Sequence, residues 1–226
     1  LANSLNPNNK DNIKKYGKGI FGDTYDYMKN YPDRWLFGKD GTGNIIFSYN
    51  IKWYRNYINN MIKDGKIKTL NLITGDAGSG ISSLEYLQKL DYAQFCLMIA
   101  CAVRGTNCII KHFHYLNPLD FEKSKQGAGF FISFIYLYYL FYRKIYLIKP
   151  HTSSPNSGEF YLVGIEFLGI NDNTLEKILY QLDNFKENQA FFDKDDIPDF
   201  FTAQITDFLS ELLKLNSRQF DIVNTL

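Results

Sequence analysis

Between residues 69 and 148 short apolar runs alternate with longer segments of helical periodicity, and that alternation leaves few folds open. Residues 69–74 are apolar, few in number and stopped by Gly75-Asp76, the pattern of a strand buried on both faces of a parallel sheet. Across 82–103 apolar residues recur at Leu84, Leu87, Phe95, Met98, Ile99 and Val103, close to helical spacing, and Gly105 ends the run. Residues 108–113 read as the next strand, 129–142 as a helix buried against the sheet, and 145–148 as a further strand. Pro150 and a Ser/Asn/Gly cluster interrupt there, and 159–167 supply another strand. Strand, helix, strand, helix, strand predicts an α/β fold with a mostly parallel, Rossmann-like sheet. The polar loop of about ten residues before 159 is too short for a helical crossover, so the last strand is expected to be antiparallel.

The flanks differ in character. Residues 1–15 are rich in Asn and Lys without apolar periodicity and read as a loop or mobile leading segment. Ile45-Ile-Phe47 offers a short strand, and a helix through Trp53, Tyr57, Ile58 and Met61 is expected to end near Gly65. Beyond Gly169, Asn173 and Glu176 have the spacing of a helix-capping pair before Ile178, Leu179 and Leu182. Pro198 precedes a second helix through Phe201, Ile205, Leu209 and Leu212. The expected organisation is a leading segment over 1–15, an α/β domain over 16–170 and a helical extension over 171–226, which serves as a lid, an oligomerisation surface or a linker.

Composition excludes several classes. At 226 residues the chain can bury a substantial core, and its first residue, Leu1, is expected to lie within a longer product. A net charge of +1 argues against a protein that coats nucleic acid, so any RNA contact must come from a local patch. Cys96, Cys101 and Cys108 are odd in number and lie in an apolar stretch, which points to a reducing, cytoplasmic compartment. No signal peptide is visible at the start. The apolar run 127–142 is shorter than the roughly 20 residues of a spanning helix. The richness in Asn, Ile, Lys, Tyr and Phe is that of AT-rich coding DNA.

Charged residues beside the apolar strands carry the functional signal. Asp76 follows one parallel strand, Lys111 lies near the carboxyl end of the next, and Glu159 begins an antiparallel strand from the same side. All three should face one crevice at the carboxyl edge, where open α/β sheets bind ligands. The bland alternative is a snorkelling lysine and two turn carboxylates.

Three segments in this order, Leu70-Asn-Leu-Ile-Thr-Gly-Asp76, Cys108-Ile-Ile-Lys111-His-Phe113 and Lys149-Pro-His-Thr-Ser-Ser-Pro-Asn-Ser-Gly-Glu159-Phe-Tyr-Leu-Val163, resemble the FtsJ-like ribose 2′-O-methyltransferases, including cap-modifying forms of large DNA viruses. The resemblance implies S-adenosyl-L-methionine as cofactor, capped mRNA as the RNA partner, and a catalytic set of lysine, aspartate, lysine and glutamate. Asp76, Lys111 and Glu159 match the last three. Lys111 would stabilise the developing alkoxide or accept its proton, with the carboxylates tuning the ammonium. In that family the serine-rich turn borders the substrate channel, so Lys149, Ser153, Ser154 and Ser157 are candidate RNA contacts. The segment Asp40-Gly-Thr-Gly-Asn44 resembles the viral subgroup's Asp-Gly-Thr-Gly-Asp stretch at the adenosine end of the cofactor, so Asp40, Gly41 and Asn44 join Asp76 as candidate cofactor residues. Asn44 stands where an acid is usual, and a plain glycine-rich turn reads these residues equally well.

Other motifs fail on context. Gly17-Lys-Gly19-Ile-Phe-Gly22 satisfies GxGxxG but follows no hydrophobic strand. Residues 75–80 have phosphate-loop glycine spacing, yet Ile81 occupies the lysine position. Cys108, His112 and His114 lack a second ligand cluster, so no metal is expected. The family's Pro-Gly-Gly-Phe cofactor loop and first catalytic lysine should lie upstream and do not occur here, and Lys14, Lys15 and Lys18 are in no context to replace that lysine. The sequence-level expectation is therefore the C-terminal part of a cap-type 2′-O-methyltransferase, with a companion segment or chain completing the cofactor pocket and with viral factory or virion as the location if the source is viral. Two alternatives stand beside it: a degenerate RNA-binding or scaffold module, and a methyltransferase of ribosomal or transfer RNA.

Overall fold

The structure, a computed structural model, describes residues 1–16, 25–78, 83–113, 121–154 and 157–224, the side chains of 121–128, 213 and 215–224 excepted. The Gly17 to Gly22 motif, Ile81 and His114 lie outside the described residues. The chain forms two units, one of residues 1–69, 93–101 and 171–184, the other of 70–92, 102–170 and 185–226.

The first unit opens with β1 (Ala2–Asn3), which pairs in parallel with β2 (Trp35–Leu36). Helices α1 (Lys10–Tyr16) and α2 (Tyr27–Asn30) lie between them in sequence. The leading residues, read as loop from their polarity, thus carry a strand and a helix. Their asparagines explain this: Asn12, 5% exposed, donates to the carbonyls of Asn6 and Thr42, and Asn3 donates to those of Leu36 and Gly43. Side-chain amides here do work that apolar periodicity does elsewhere.

The strand expected at residues 45–47 is instead a turn leading into α3 (Ser48–Lys63). The Asn44 side chain accepts from the Ile46 N–H, closing the backbone on itself, while Ile45 and Ile46 are buried. Helix α3 ends as expected at Gly65, whose φ of +69° suits glycine, with the Lys66 N–H reaching the Met61 carbonyl. Helix α6 (Asp172–Asp183) packs on α3, burying Leu175, Ile178, Leu179 and Leu182. Its cap is Asn171, which accepts from the Thr174 N–H, and not Asn173. Glu176, the other half of the expected pair, instead meets Lys52 on α3.

The second unit is built on four strands: β3 (Leu72–Gly75), β4 (Asn107–Phe113), β5 (Tyr142–Ile148) and β6 (Glu159–Phe167), in spatial order β3-β4-β6-β5. Strands β3 and β4 are parallel, and β6 runs antiparallel to both β4 and β5. Three of the four strands therefore point one way, a mixed sheet compatible with a Rossmann-like fold. Helices α4 (Leu84–Cys101) and α5 (Phe121–Phe141) supply the crossovers, and α7 (Asp199–Asn224) follows Pro198. Helix α5 begins eight residues before the expected Gly129, so residues 121–128 are helical, and β5 follows it with no intervening residue.

One face of this sheet is the core. Ile110, His112, Phe160 and Leu162 are buried there, with Phe160 packed edge-on against Phe131 of α5 and Phe208 of α7. Gly164 at the middle of β6 admits Tyr142 and Cys108, since a Cβ would stand 2.7 Å from the Tyr142 ring and 2.8 Å from the Cys108 sulfur. The other face is open: Leu72, Ile109, Tyr146 and Ile148 are 49%, 38%, 51% and 45% exposed. Strand β3, expected to be buried on both faces, is a sheet edge among the described residues, and its side chains are exposed or half-buried. No helix of the described residues is long and apolar enough to cross a membrane.

Candidate active site

Strand alternation decides which side chains reach the carboxyl edge. On β4, Ile110 and His112 turn into the core, which sends Lys111 and Phe113 to the other face. The β3–β4 register sets Gly75 opposite Ile110, so Asp76, the next residue, arrives beside Lys111. The β4–β6 register sets Lys111 opposite Tyr161 and Phe113 opposite Glu159. Asp76, Lys111 and Glu159 thus gather at one edge of the sheet, as strand directions require.

Lys111 is the centre of this group. Its ammonium forms an ion pair with the Asp76 carboxylate and lies 5.6 Å from the centre of the Phe113 ring. The lysine side chain is 18% exposed, whereas that of Asp76 is 69% exposed. Burial disfavours the charged form, but the hydrogen bond and charge of Asp76, reinforced by the charge of Glu159, outweigh it and raise the Lys111 pKa above its ordinary value. At neutral pH the group is therefore a firmly held cation. Tyr161 is likewise pushed up, by partial burial and by the Glu159 carboxylate next to its hydroxyl, so its phenol stays protonated.

Behind the strand, His112 is 1% exposed, with Nδ1 3.2 Å from Asp91 Oδ1 of α4 and Nε2 3.0 Å from the Tyr138 hydroxyl of α5. These contacts link both crossover helices to the strand that carries Lys111. Among the described residues no group of three or more His, Cys, Asp or Glu is arranged to hold a metal.

Lys149 closes the turn after β5. Its Nζ donates to Ser153 Oγ at 3.0 Å, to the carbonyls of Ser154 and Ser157 at 2.9 and 2.7 Å, to Ser157 Oγ at 3.3 Å and to the Glu159 carbonyl at 2.8 Å. Burial lowers its pKa, partly offset by Glu159. Of the four candidate RNA contacts, Lys149, Ser153 and Ser157 are thus bonded to one another through their side chains, and Ser154 through its carbonyl.

The candidate cofactor residues Asp40, Gly41 and Asn44 belong to the first unit and Asp76 to the second. The Asp40 carboxylate accepts from the Thr42 N–H and hydroxyl, the Tyr49 hydroxyl and the Asn50 amide. Although partial burial opposes ionisation, these hydrogen bonds hold its pKa below the usual carboxylate value. Burial, joined by the hydrogen bond to Asp40, raises Tyr49 to about 12. With Asn44 capping Ile46, the polar atoms of Asp40 and Asn44 shape the loop itself. Gly41, at φ +73° with nothing within 4 Å of where a Cβ would stand, leaves its turn open to close approach, and the Asp76 carboxylate keeps its exposure.

No protein-family profile matches the chain. An uncharacterised protein of Acanthamoeba polyphaga mimivirus is 28% identical over 214 residues, covering 90% of this chain and 24% of its own length. Cap-specific mRNA (nucleoside-2′-O-)-methyltransferase 1 of Dictyostelium discoideum is 27% identical over 182 residues, 78% of this chain and 21% of its own length. The protein of the same name from Mus musculus is 28% identical over 159 residues, 67% of this chain and 17% of its own length. This chain is a distant relative of those methyltransferases. It spans about a quarter or less of the length of the curated relatives it matches.

The strand register adds residues that motif reading passed over. Tyr161 sits directly across from Lys111, and two-residue alternation from Glu159 could have found it. Phe113 is found the same way from Lys111. The oxygen-lined setting of Lys149 left no such signal, because three of its five acceptors are main-chain carbonyls.

Proposed function

We propose that this chain is the acceptor-side part of an S-adenosylmethionine-dependent RNA ribose 2′-O-methyltransferase that acts on the capped end of mRNA. The observation that carries this reading is the Lys111 ammonium, clasped by Asp76 and in the field of Glu159 at the carboxyl edge of the sheet. The names of the distant relatives support the same chemistry. S-adenosylmethionine, when bound, would supply an electrophilic methyl group, and Asp76, exposed beside Lys111, is the residue of the second unit suited to meet it.

The work of the chain's own residues falls on the acceptor oxygen. A ribose 2′-hydroxyl is a poor nucleophile, and negative charge grows on its oxygen as the O–H bond weakens and the O–C bond forms. A lysine held as a cation stabilises that charge without first having to lose a proton. Asp76 and Glu159 orient the ammonium, and the released proton passes to solvent or to a carboxylate. Lys111 is thus an electrostatic catalyst in preference to a general base.

We further propose that polypeptide beyond the described residues supplies the cofactor loop and the first lysine, docking on the edge of β3 and the open apolar face beside it. The sheet face carrying Leu72, Ile109 and Tyr146, exposed among the described residues, supports such a companion. A second reading, a degenerate RNA-binding or scaffold module, draws support from Asp40 and Asn44, whose polar atoms are engaged within their own loop.

Transfer of a labelled methyl group to capped and uncapped RNA by the full-length protein and by Lys111→Ala separates these readings. The expected result is transfer to capped RNA by the parent and a loss of about 10²-fold or more in the variant. Equal transfer by the variant removes Lys111 from the mechanism, equal use of uncapped RNA removes the cap, and binding without transfer by the parent favours the scaffold reading.

A further inference from the structure

The five contacts of the Lys149 ammonium go to neutral oxygens, three carbonyls and two hydroxyls, and none to a carboxylate. Such a shell has the chemistry with which proteins dehydrate and hold a monovalent cation. An ammonium has three N–H groups, and with five acceptors at 2.7–3.3 Å all three are engaged. None remains to point at a phosphate. The shell also grips one residue from both sides, because the Glu159 carbonyl accepts from Lys149 while the Glu159 N–H donates to Ser157 Oγ at 3.3 Å.

We propose that Lys149 is a positioning residue, a tethered cation at the centre of the serine turn that fixes where Glu159 enters β6 and so how its carboxylate addresses Lys111. This rests on the reading of that edge as the methyl-transfer site, and it replaces the direct RNA contact suggested by the sequence. The consequence is kinetic. RNA binding does not depend on the Lys149 charge, whereas the placement of Glu159, and through it the field at Lys111, does. A misplacement of about 1 Å in a catalytic constellation can cost on the order of 10²-fold in rate.

The test uses the full-length protein with Lys149→Ala, which leaves the oxygens in place and removes their cation. The expected result is a fall in kcat of about tenfold or more with the KM for capped RNA within about twofold, and partial recovery of kcat on adding ethylammonium. Sodium at equal ionic strength should not substitute. A raised KM with unchanged kcat would restore the direct RNA contact and overturn the proposal, as would failure of ethylammonium to recover any rate. Ser157→Ala, which removes one hydroxyl and leaves the lysine, should lower kcat in the same sense if Lys149→Ala does not fold; a change in KM alone overturns the idea. Amide hydrogen exchange at Glu159 reads the cage independently of catalysis. It should accelerate in Lys149→Ala and slow again with ethylammonium, and unchanged exchange overturns the cage. If the parent shows no methyl transfer while exchange responds as described, the methyltransferase reading falls and the cage stands.

Discussion

Lys111 is held as an ammonium by two carboxylates acting against its own burial, and the sign of that balance has a measurable consequence. A lysine whose folded pKa lies above its ordinary 10.5 contributes stability at every pH below that value, and the contribution is lost as pH rises through the folded pKa. Asp76→Asn removes the largest of the favourable influences, so the Lys111 titration, followed through its side-chain ammonium resonance, should move down toward the ordinary value. The methyl-transfer rate of the parent should show no step through neutral pH from deprotonation of Lys111, whose folded pKa lies above its ordinary value. A rate that instead rises through neutral pH, and no longer does so in Lys111→Arg, would mean that the lysine works as a neutral base. Gly164 carries a second prediction at this scale. Its replacement by Ala drives a methyl into the Tyr142 ring and the Cys108 sulfur, and thermal or denaturant unfolding should show a loss of about 1–3 kcal/mol.

The elements of the second unit were largely legible as sequence because each is short, apolar and punctuated. Strand β6 begins at the expected Glu159 and runs antiparallel as its loop length requires. Its insertion between β4 and β5 was not legible, since loop length fixes direction and leaves the neighbour open. Ile45 and Ile46 misled for a different reason: two adjacent apolar residues are equally consistent with a strand and with a buried turn, and only the Asn44 side chain decides. Lys111 and Glu159 could be read from strand direction, but the Lys149 setting could not, being made of carbonyls that every sequence possesses. The α6 cap was misplaced by two residues because Asn171 and Asn173 are chemically the same candidate. Asn171→Ala should destabilise the first unit by about 1 kcal/mol in thermal unfolding, and Asn173→Ala should leave it unchanged.

At the scale of the whole molecule, the two edges of the main sheet differ. Strand β5 carries exposed Arg143 and Lys144, charges that discourage further pairing, whereas β3 presents Leu72-Ile-Thr-Gly75 without a charge. The proposed companion segment would use the uncharged edge. Amide exchange at Leu72, Ile73 and Thr74 should then be slower in the full-length protein than in this chain alone, and equal exchange would remove the companion from that edge. The relatives, four or more times the length of their match to this chain, make the comparison a natural one.

The junction at Phe141 and Tyr142, where helix α5 passes into β5 without a linker residue, couples chain length to chemistry. Each residue added to or removed from an α-helix turns everything beyond it by about 100°. A one-residue insertion or deletion in the last turn of α5 has no slack in which to be absorbed, so it would swing Tyr142 out of the core and carry the whole strand, with Lys149 at its end, out of phase. Point changes on that helix leave this phase intact, whereas a change in its length shifts everything from Tyr142 to Lys149.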